Sequence, residues 1–149
     1  MNFIRGGEMF THLRKAKKFT EQRAKFYAAQ VYLALRYLHD LGYVYRDLKP
    51  ENILFDVDGY IKVSDYGLCK LLKPGEKTYS LVGTPDYVSP EVIINKGQTF
   101  TTDWWSFGIL IFEMIYGSPP FYNRDHEKMF HDILNRELFF DNSKVDSSP

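Results

Sequence analysis

The strongest constraint on this chain is a short polar stretch set between apolar ones. From Arg46 to Asn52 the sequence packs in Arg46, Asp47, Lys49, Glu51 and Asn52, with Tyr43-Val44 before it and Ile53-Leu54-Phe55 after it. A loop meant only for water needs no such flanks. Apolar runs of this length read as short buried strands that hold a charged turn in fixed geometry, as a phosphate or metal site requires.

The neighbouring segments fit that frame. After Phe55, Asp56-Val-Asp-Gly59 is a hairpin turn, and Tyr60 to Val63 is the returning strand. The return leads into Ser64-Asp65-Tyr66-Gly67, so Asp65 leaves a strand end near Asn52. Asp56 and Asp58 do not make a calcium loop, because the remaining EF-hand ligands and the closing glutamate are missing. Upstream, Gly6-Gly7 precedes a short helix from about Glu8 to Lys15. Thr20 then caps a longer helix whose Ala24, Tyr27, Ala28, Val31, Leu35 and Leu38 recur every three or four residues, ending near Leu41-Gly42.

Downstream, Leu68 to Val88 is polar and irregular, and such a length inside a folded domain is usually functional. Pro90-Glu91 opens a short helical turn. Thr101 or Thr102 is expected to cap an apolar helix to about residue 116, stopped by Gly117-Ser-Pro-Pro120 and expected to be buried on nearly every side. A last amphipathic helix covers about Asp125 to Leu134, and a polar tail runs from 141 to 149.

Composition removes several classes of function. Lys plus Arg and Asp plus Glu are 19 each, so no net field recruits nucleic acid. No apolar run reaches the roughly 20 residues of a membrane span; Glu113 interrupts the best one. One cysteine, Cys69, cannot close an internal disulfide, and an intracellular, cytoplasmic or nuclear location is expected. The basic run Arg14, Lys15, Lys17 and Lys18 is a solvated helix end. The four histidines lack partners at ligand spacing.

Asn52 and Asp65 offer hard oxygen donors, suited to Mg²⁺ on phosphates rather than to zinc. Asp47 and Lys49, two residues apart, can face one reaction centre with a carboxylate and an ammonium. At an effective dielectric of 20, such a cation about 4 Å from a unit negative charge interacts by roughly 4 kcal/mol.

With those residues in view, the sequence resembles the eukaryotic protein kinases. Arg46-Asp-Leu-Lys-Pro-Glu-Asn52 is similar to the catalytic loop and Asp65-Tyr-Gly67 to the metal-binding Asp-Phe-Gly. Ser89-Pro-Glu91 is similar to Ala-Pro-Glu, and Asp103-Trp-Trp-Ser-Phe-Gly108 to the start of the family's central helix. Tyr45, Gly6-Gly-Glu8 and Gly83-Thr-Pro-Asp-Tyr87 resemble the AGC serine/threonine group. Gly67-Leu-Cys-Lys70 and Phe121 to Phe130 are similar to its B-type and serum-regulated branches, whereas Asn95-Lys-Gly97 and Gly117 to Phe121 are similar to the cyclic-nucleotide-dependent branch.

The resemblance implies an α+β, mainly α fold: an incomplete large (C-terminal) kinase lobe lacking the small β-rich lobe. It implies a hinge at 1–6, a catalytic loop at 45–52, an activation segment at 65–91 and a central helix at about 102–116. Asp47 would orient the substrate hydroxyl, Lys49 would steady the transferring phosphate and Thr84 would bridge the two. Asn52 and Asp65 would hold Mg²⁺. ATP would meet Met1, Asn2 and Ile4 at the hinge, Leu54 beneath the adenine and Glu8 at the ribose, with Glu51, Asn52 and Asp65 also on the cofactor side. Glu8, Glu51 and Glu113 would read arginines of a basic protein substrate; apart from the resemblance they read as solvated carboxylates. Ser80 would take an activating phosphate from an upstream kinase, paired with Arg46 and Lys70.

Three positions depart from the family pattern. Tyr66 stands for Phe, Ser89 for Ala and Asp86 for Glu. A buried Tyr66 hydroxyl would need a partner or cost roughly 1–3 kcal/mol. The resemblance further implies a Gly-rich loop and a phosphate-binding lysine ahead of the hinge and last helices that supply an arginine for Glu91, which these 149 residues are expected not to include. The piece alone is therefore expected to be inactive, and the alternative reading is a truncated module that binds peptides or competes with an intact enzyme.

Overall fold

The computed structural model describes residues 6–80, 82–141, 143 and 145. The expected hinge residues Met1, Asn2 and Ile4 and most of the 141–149 tail lie outside that range. The elements in chain order are α1 (Met9–Ala16), α2 (Glu21–Asp40), β1 (Tyr43–Val44), β2 (Ile53–Phe55), β3 (Ile61–Val63) and β4 (Lys70–Leu71). They continue with α3 (Pro90–Ile93), α4 (Phe100–Tyr116) and α5 (His126–Asn135). Single 3-10 turns occupy Pro50–Asn52 and Pro85–Tyr87. The architecture is mainly helical, with two small antiparallel ribbons, β1 with β4 and β2 with β3.

The core forms where α2 crosses α4, as the three-and-four spacing of α2 demands. Val31 and Leu35 of α2 and Leu110 and Met114 of α4 are fully enclosed. The Thr20 hydroxyl accepts from the Arg23 backbone N–H at 3.3 Å, which caps α2. Gly42, at φ +83°, ends it and turns the chain into β1. The β2–β3 register pairs Ile53 with Val63 and Phe55 with Ile61, as the hairpin turn required. A third strand-like segment borders β2: Gly6 donates to Phe55 O at 3.0 Å and Phe55 to Gly7 O at 2.9 Å. That approach is closed to any larger residue, because a Cβ on Gly6 would lie 2.2 Å from Phe55 O.

Three expectations need correction. The α4 cap is Thr99, whose hydroxyl accepts from Thr101 N, and the helix begins at Phe100. Three threonines lie within four positions, and cap preference alone does not choose among them. The segment 68–88 is not wholly irregular, since Lys70–Leu71 pairs with Tyr43–Val44. Finally, α4 is not enclosed on every side. Trp104, Trp105, Ile111, Phe112 and Ile115 are only half-buried and line a groove of about 560 Å³ with Leu138 and Phe140. No helix among the described residues is long and apolar enough to cross a membrane.

Candidate active site

The 45–52 loop is fastened from below and from both sides. Tyr45, Leu48 and Ile53 are buried in the core, which fixes the loop's ends and middle. Asp103, at the start of α4 and 0% exposed, accepts the Tyr45 and Arg46 backbone N–H groups at 2.8 Å each. His39 of α2 meets the same carboxylate at 2.7 Å. Arg46 sits at φ +71°, a left-handed conformation that a non-glycine residue keeps only when its surroundings enforce it. Two backbone donors held by one buried carboxylate supply that enforcement.

The next residue is Asp47, 7% exposed. Lys49 Nζ lies 3.1 Å from Asp47 Oδ1 and 3.0 Å from Oδ2, and donates to Thr84 Oγ1 at 3.0 Å. The Thr84 hydroxyl donates in turn to Asp47 Oδ1 at 3.1 Å. Thr84 reaches the loop because Gly83, at φ +108°, lets the backbone pass close; a Cβ there would be 2.9 Å from Arg46 O. The Asn52 amide nitrogen donates to Asp47 O at 2.8 Å and to Oδ2 at 3.0 Å. A carboxylate held this way can take a proton from a hydroxyl brought to it, and the ammonium beside it can meet an anion.

Asn52 also connects the loop to Asp65. Its carbonyl accepts the Ser64 N–H at 2.8 Å and the Ser64 hydroxyl at 3.0 Å, at the exit from β3. Asp65 follows at φ +52°, exposed, with Oδ1 accepting the Gly67 N–H at 3.1 Å. Tyr66 is 53% exposed and donates to Val63 O at 3.0 Å, so its hydroxyl carries no burial cost. The Tyr45 phenol is buried against the Ser64 carbonyl, and burial pushes its pKa well above the usual range. Burial, followed by the Asp103 charge, raises the Cys69 thiol to about 11, so it stays protonated at neutral pH.

The three expected arginine readers differ. Glu8 is exposed, at the start of α1 beside Leu54, with which it forms a lone β-bridge. Leu54 is half-buried, opposite Lys62. Glu113 is only 6% exposed and accepts the Tyr87 hydroxyl, a pairing the sequence reading missed. Burial, reinforced by the Glu51 charge, holds the Glu113 carboxyl above its ordinary range, while Tyr87 and Arg14 oppose the shift. Glu51 and Glu113 thus share one locality, and Glu8 is the residue before α1.

Arg46 and Lys70, the expected partners of a phosphate on Ser80, meet Thr78 in the unmodified chain. Lys70 Nζ and Arg46 Nη1 donate to Thr78 Oγ1 at 3.0 and 3.4 Å, and Ser80 is exposed two residues further on. Glu91, left without a partner in the sequence reading, accepts from the Thr102 hydroxyl at 3.2 Å and the Thr101 hydroxyl at 3.4 Å. Ser89 is fully buried, and its hydroxyl has no partner among the described residues.

Comparison with known proteins agrees with this geometry. Residues 1–148 match the protein kinase domain family. The chain is 53% identical over 140 residues to cAMP-dependent protein kinase type 3 of Saccharomyces cerevisiae, covering 94% of this chain and 35% of that protein. It is 49% identical to the RAC family serine/threonine-protein kinase homolog of Dictyostelium discoideum, over 94% of this chain and 32% of that one. It is 48% identical to serine/threonine-protein kinase sgk-1 of Caenorhabditis elegans, over 93% and 30%. The chain spans about a third of the length of these relatives. The chain belongs to the protein kinase domain family, and its relatives place it among the AGC serine/threonine kinases.

Proposed function

We propose that this chain is the large-lobe part of a serine/threonine protein kinase that transfers phosphate from ATP to a hydroxyl of a basic protein substrate. The observation that carries the reading is the closed set Asp47, Lys49 and Thr84, with Asn52 behind it. Asp47 orients the acceptor hydroxyl and takes its proton. Lys49 donates to Asp47 Oδ1 and Thr84 Oγ1 and lies 3.0 Å from Asp47 Oδ2, and it turns a donor toward phosphate when that group arrives.

The donor chemistry fits Mg²⁺. The Asn52 amide nitrogen is committed to Asp47, which leaves its oxygen as the free end, and exposed Asp65 supplies carboxylate oxygen. Those two residues would hold the ion, which neutralises phosphate charge when bound. Leu54 and Glu8, joined by a lone β-bridge, form the nucleotide side, to which the kinase resemblance adds Met1, Asn2 and Ile4. Glu8, Glu51 and Glu113 read arginines of the substrate. Ser80, exposed on the 65–91 segment, accepts an activating phosphate, which takes over Arg46 and Lys70 from the Thr78 hydroxyl.

The test is transfer from ATP and Mg²⁺ to an Arg-rich serine peptide by the protein that carries this chain. Asp47→Asn should lower turnover by about 10²–10⁴-fold without changing the circular dichroism spectrum. Turnover at the parent rate in that variant overturns the reading. The Glu51–Glu113 locality also favours a second one, a peptide-binding module without turnover. Calorimetric binding of the peptide with no phosphate transferred selects it.

A further inference from the structure

Gln98, in the turn between α3 and α4, is 2% exposed and faces the 78–80 segment. Its backbone exchanges two hydrogen bonds with Thr78, Gln98 N to Thr78 O at 2.7 Å and Thr78 N to Gln98 O at 3.1 Å. Its side-chain Nε2 donates to Ser80 O at 2.6 Å. The opposite amide orientation would set two oxygens against each other, so the assignment is fixed by chemistry. Oε1 has no donor among the described residues. A buried polar atom without a partner costs free energy, so the bonds made by the amide's other end are what offset it.

What that end holds is the inward face of the segment. Thr78 is 1% exposed, and Lys70 and Arg46 donate to its hydroxyl oxygen. Both cations direct donors to neutral oxygens here, Arg46 also through Nε to Leu68 O at 2.7 Å. Arg46 is the strained left-handed residue immediately before Asp47.

We propose that Gln98 is a positioning residue for the catalytic loop: by fixing the Ser80 carbonyl it seats Thr78 against Lys70 and Arg46, and so steadies the turn that aims Asp47. The proposal rests on the kinase reading for the role of Asp47. The unmodified chain then holds this part of the activation segment through an amide and a hydroxyl, before any phosphate reaches Ser80.

Amide hydrogen exchange on this chain tests it without a catalytic assay. Gln98→Met keeps the volume and removes the amide. The Thr78, Gln98 and Arg46 amides should then exchange about fivefold faster, the equivalent of one net hydrogen bond, with the α2 interior unchanged. Thr78→Val keeps the strand pairing and removes the hydroxyl; it should speed Arg46 and leave Gln98 as it was. The decisive measurement is the pair Gln98→Met and Lys70→Met. If Gln98 acts through Thr78, the double variant exchanges at Arg46 no faster than the faster single one. Rates that multiply, or an Arg46 amide unmoved by Gln98→Met, overturn the proposal. Should Gln98→Met fail to fold, an Arg46 amide unmoved in Thr78→Val overturns it and a faster one supports it. Failure of the kinase reading shows separately, as absent transfer with these exchange changes intact.

Discussion

Asp103 and Glu113 are both buried carboxylates on α4, ten positions apart, and they are partnered in opposite ways. Asp103 has every nearby donor aimed at it: two backbone N–H groups and the His39 ring. Glu113 has one phenol, with the Glu51 carboxylate close enough to add repulsion. A buried charge is tolerated when it is paired and hydrogen-bonded, and is costly otherwise. Asp103 therefore acts as an anchor for the fold. Glu113 has the Tyr87 phenol on its carboxylate, with the Arg14 charge partly offsetting that of Glu51; under the proposed function it is the carboxylate that meets a cationic side chain of the substrate.

The contrast breaks first at Asp103. Asp103→Ala should cost about 3–5 kcal/mol of stability in urea unfolding, because two backbone donors and a buried histidine lose their acceptor together. A loss below about 1 kcal/mol would erase the distinction. Next comes Glu113→Gln, which should weaken binding of an Arg-rich peptide by roughly 2 kcal/mol or more by calorimetry at neutral pH without lowering the unfolding midpoint. Equal effects on binding and folding would make Glu113 another anchor.

A third measurement uses proton linkage. Glu113 has a folded pKa above its ordinary value of 4.5, so the folded state holds the proton more tightly than the unfolded one. Its contribution to stability is complete below 4.5 and is lost as pH rises through the raised folded value. Glu113→Gln should remove that decline from the urea-unfolding profile, and peptide affinity in the parent should rise across the same window. The smallest effect belongs to Ser89. Removing its unpartnered hydroxyl in Ser89→Ala should raise stability by up to about 1 kcal/mol, and a loss of that size would reveal a bond.

The helices and the hairpin are legible from local spacing, and Asp47, Lys49 and Asn52 from their place in one short loop, whereas Thr84, 37 residues from Asp47, is reached only through the kinase resemblance. The Tyr87–Glu113 pair was not legible, since it joins positions 26 apart through a phenol and an acid, neither unusual alone. Lys70–Leu71 is too short for alternation to mark it as a strand. Thr78 escaped notice because a hydroxyl beside Ser80 carries no signal until the strand shows which of them faces Arg46 and Lys70. The open side of α4 differs from the sequence expectation for a related reason: an apolar residue in a sequence does not say which neighbour covers it.

The Asp103 clamp also orders events in time. Arg46 and the carboxylate that holds it are 57 residues apart. At about 5–20 residues per second, a ribosome takes roughly 3–11 s to make that interval. During those seconds the loop carrying Asp47 exists without its tether, and the left-handed turn at Arg46 has nothing to hold it against its own strain. The geometry of the site is therefore one of the last things this stretch of chain acquires during its synthesis.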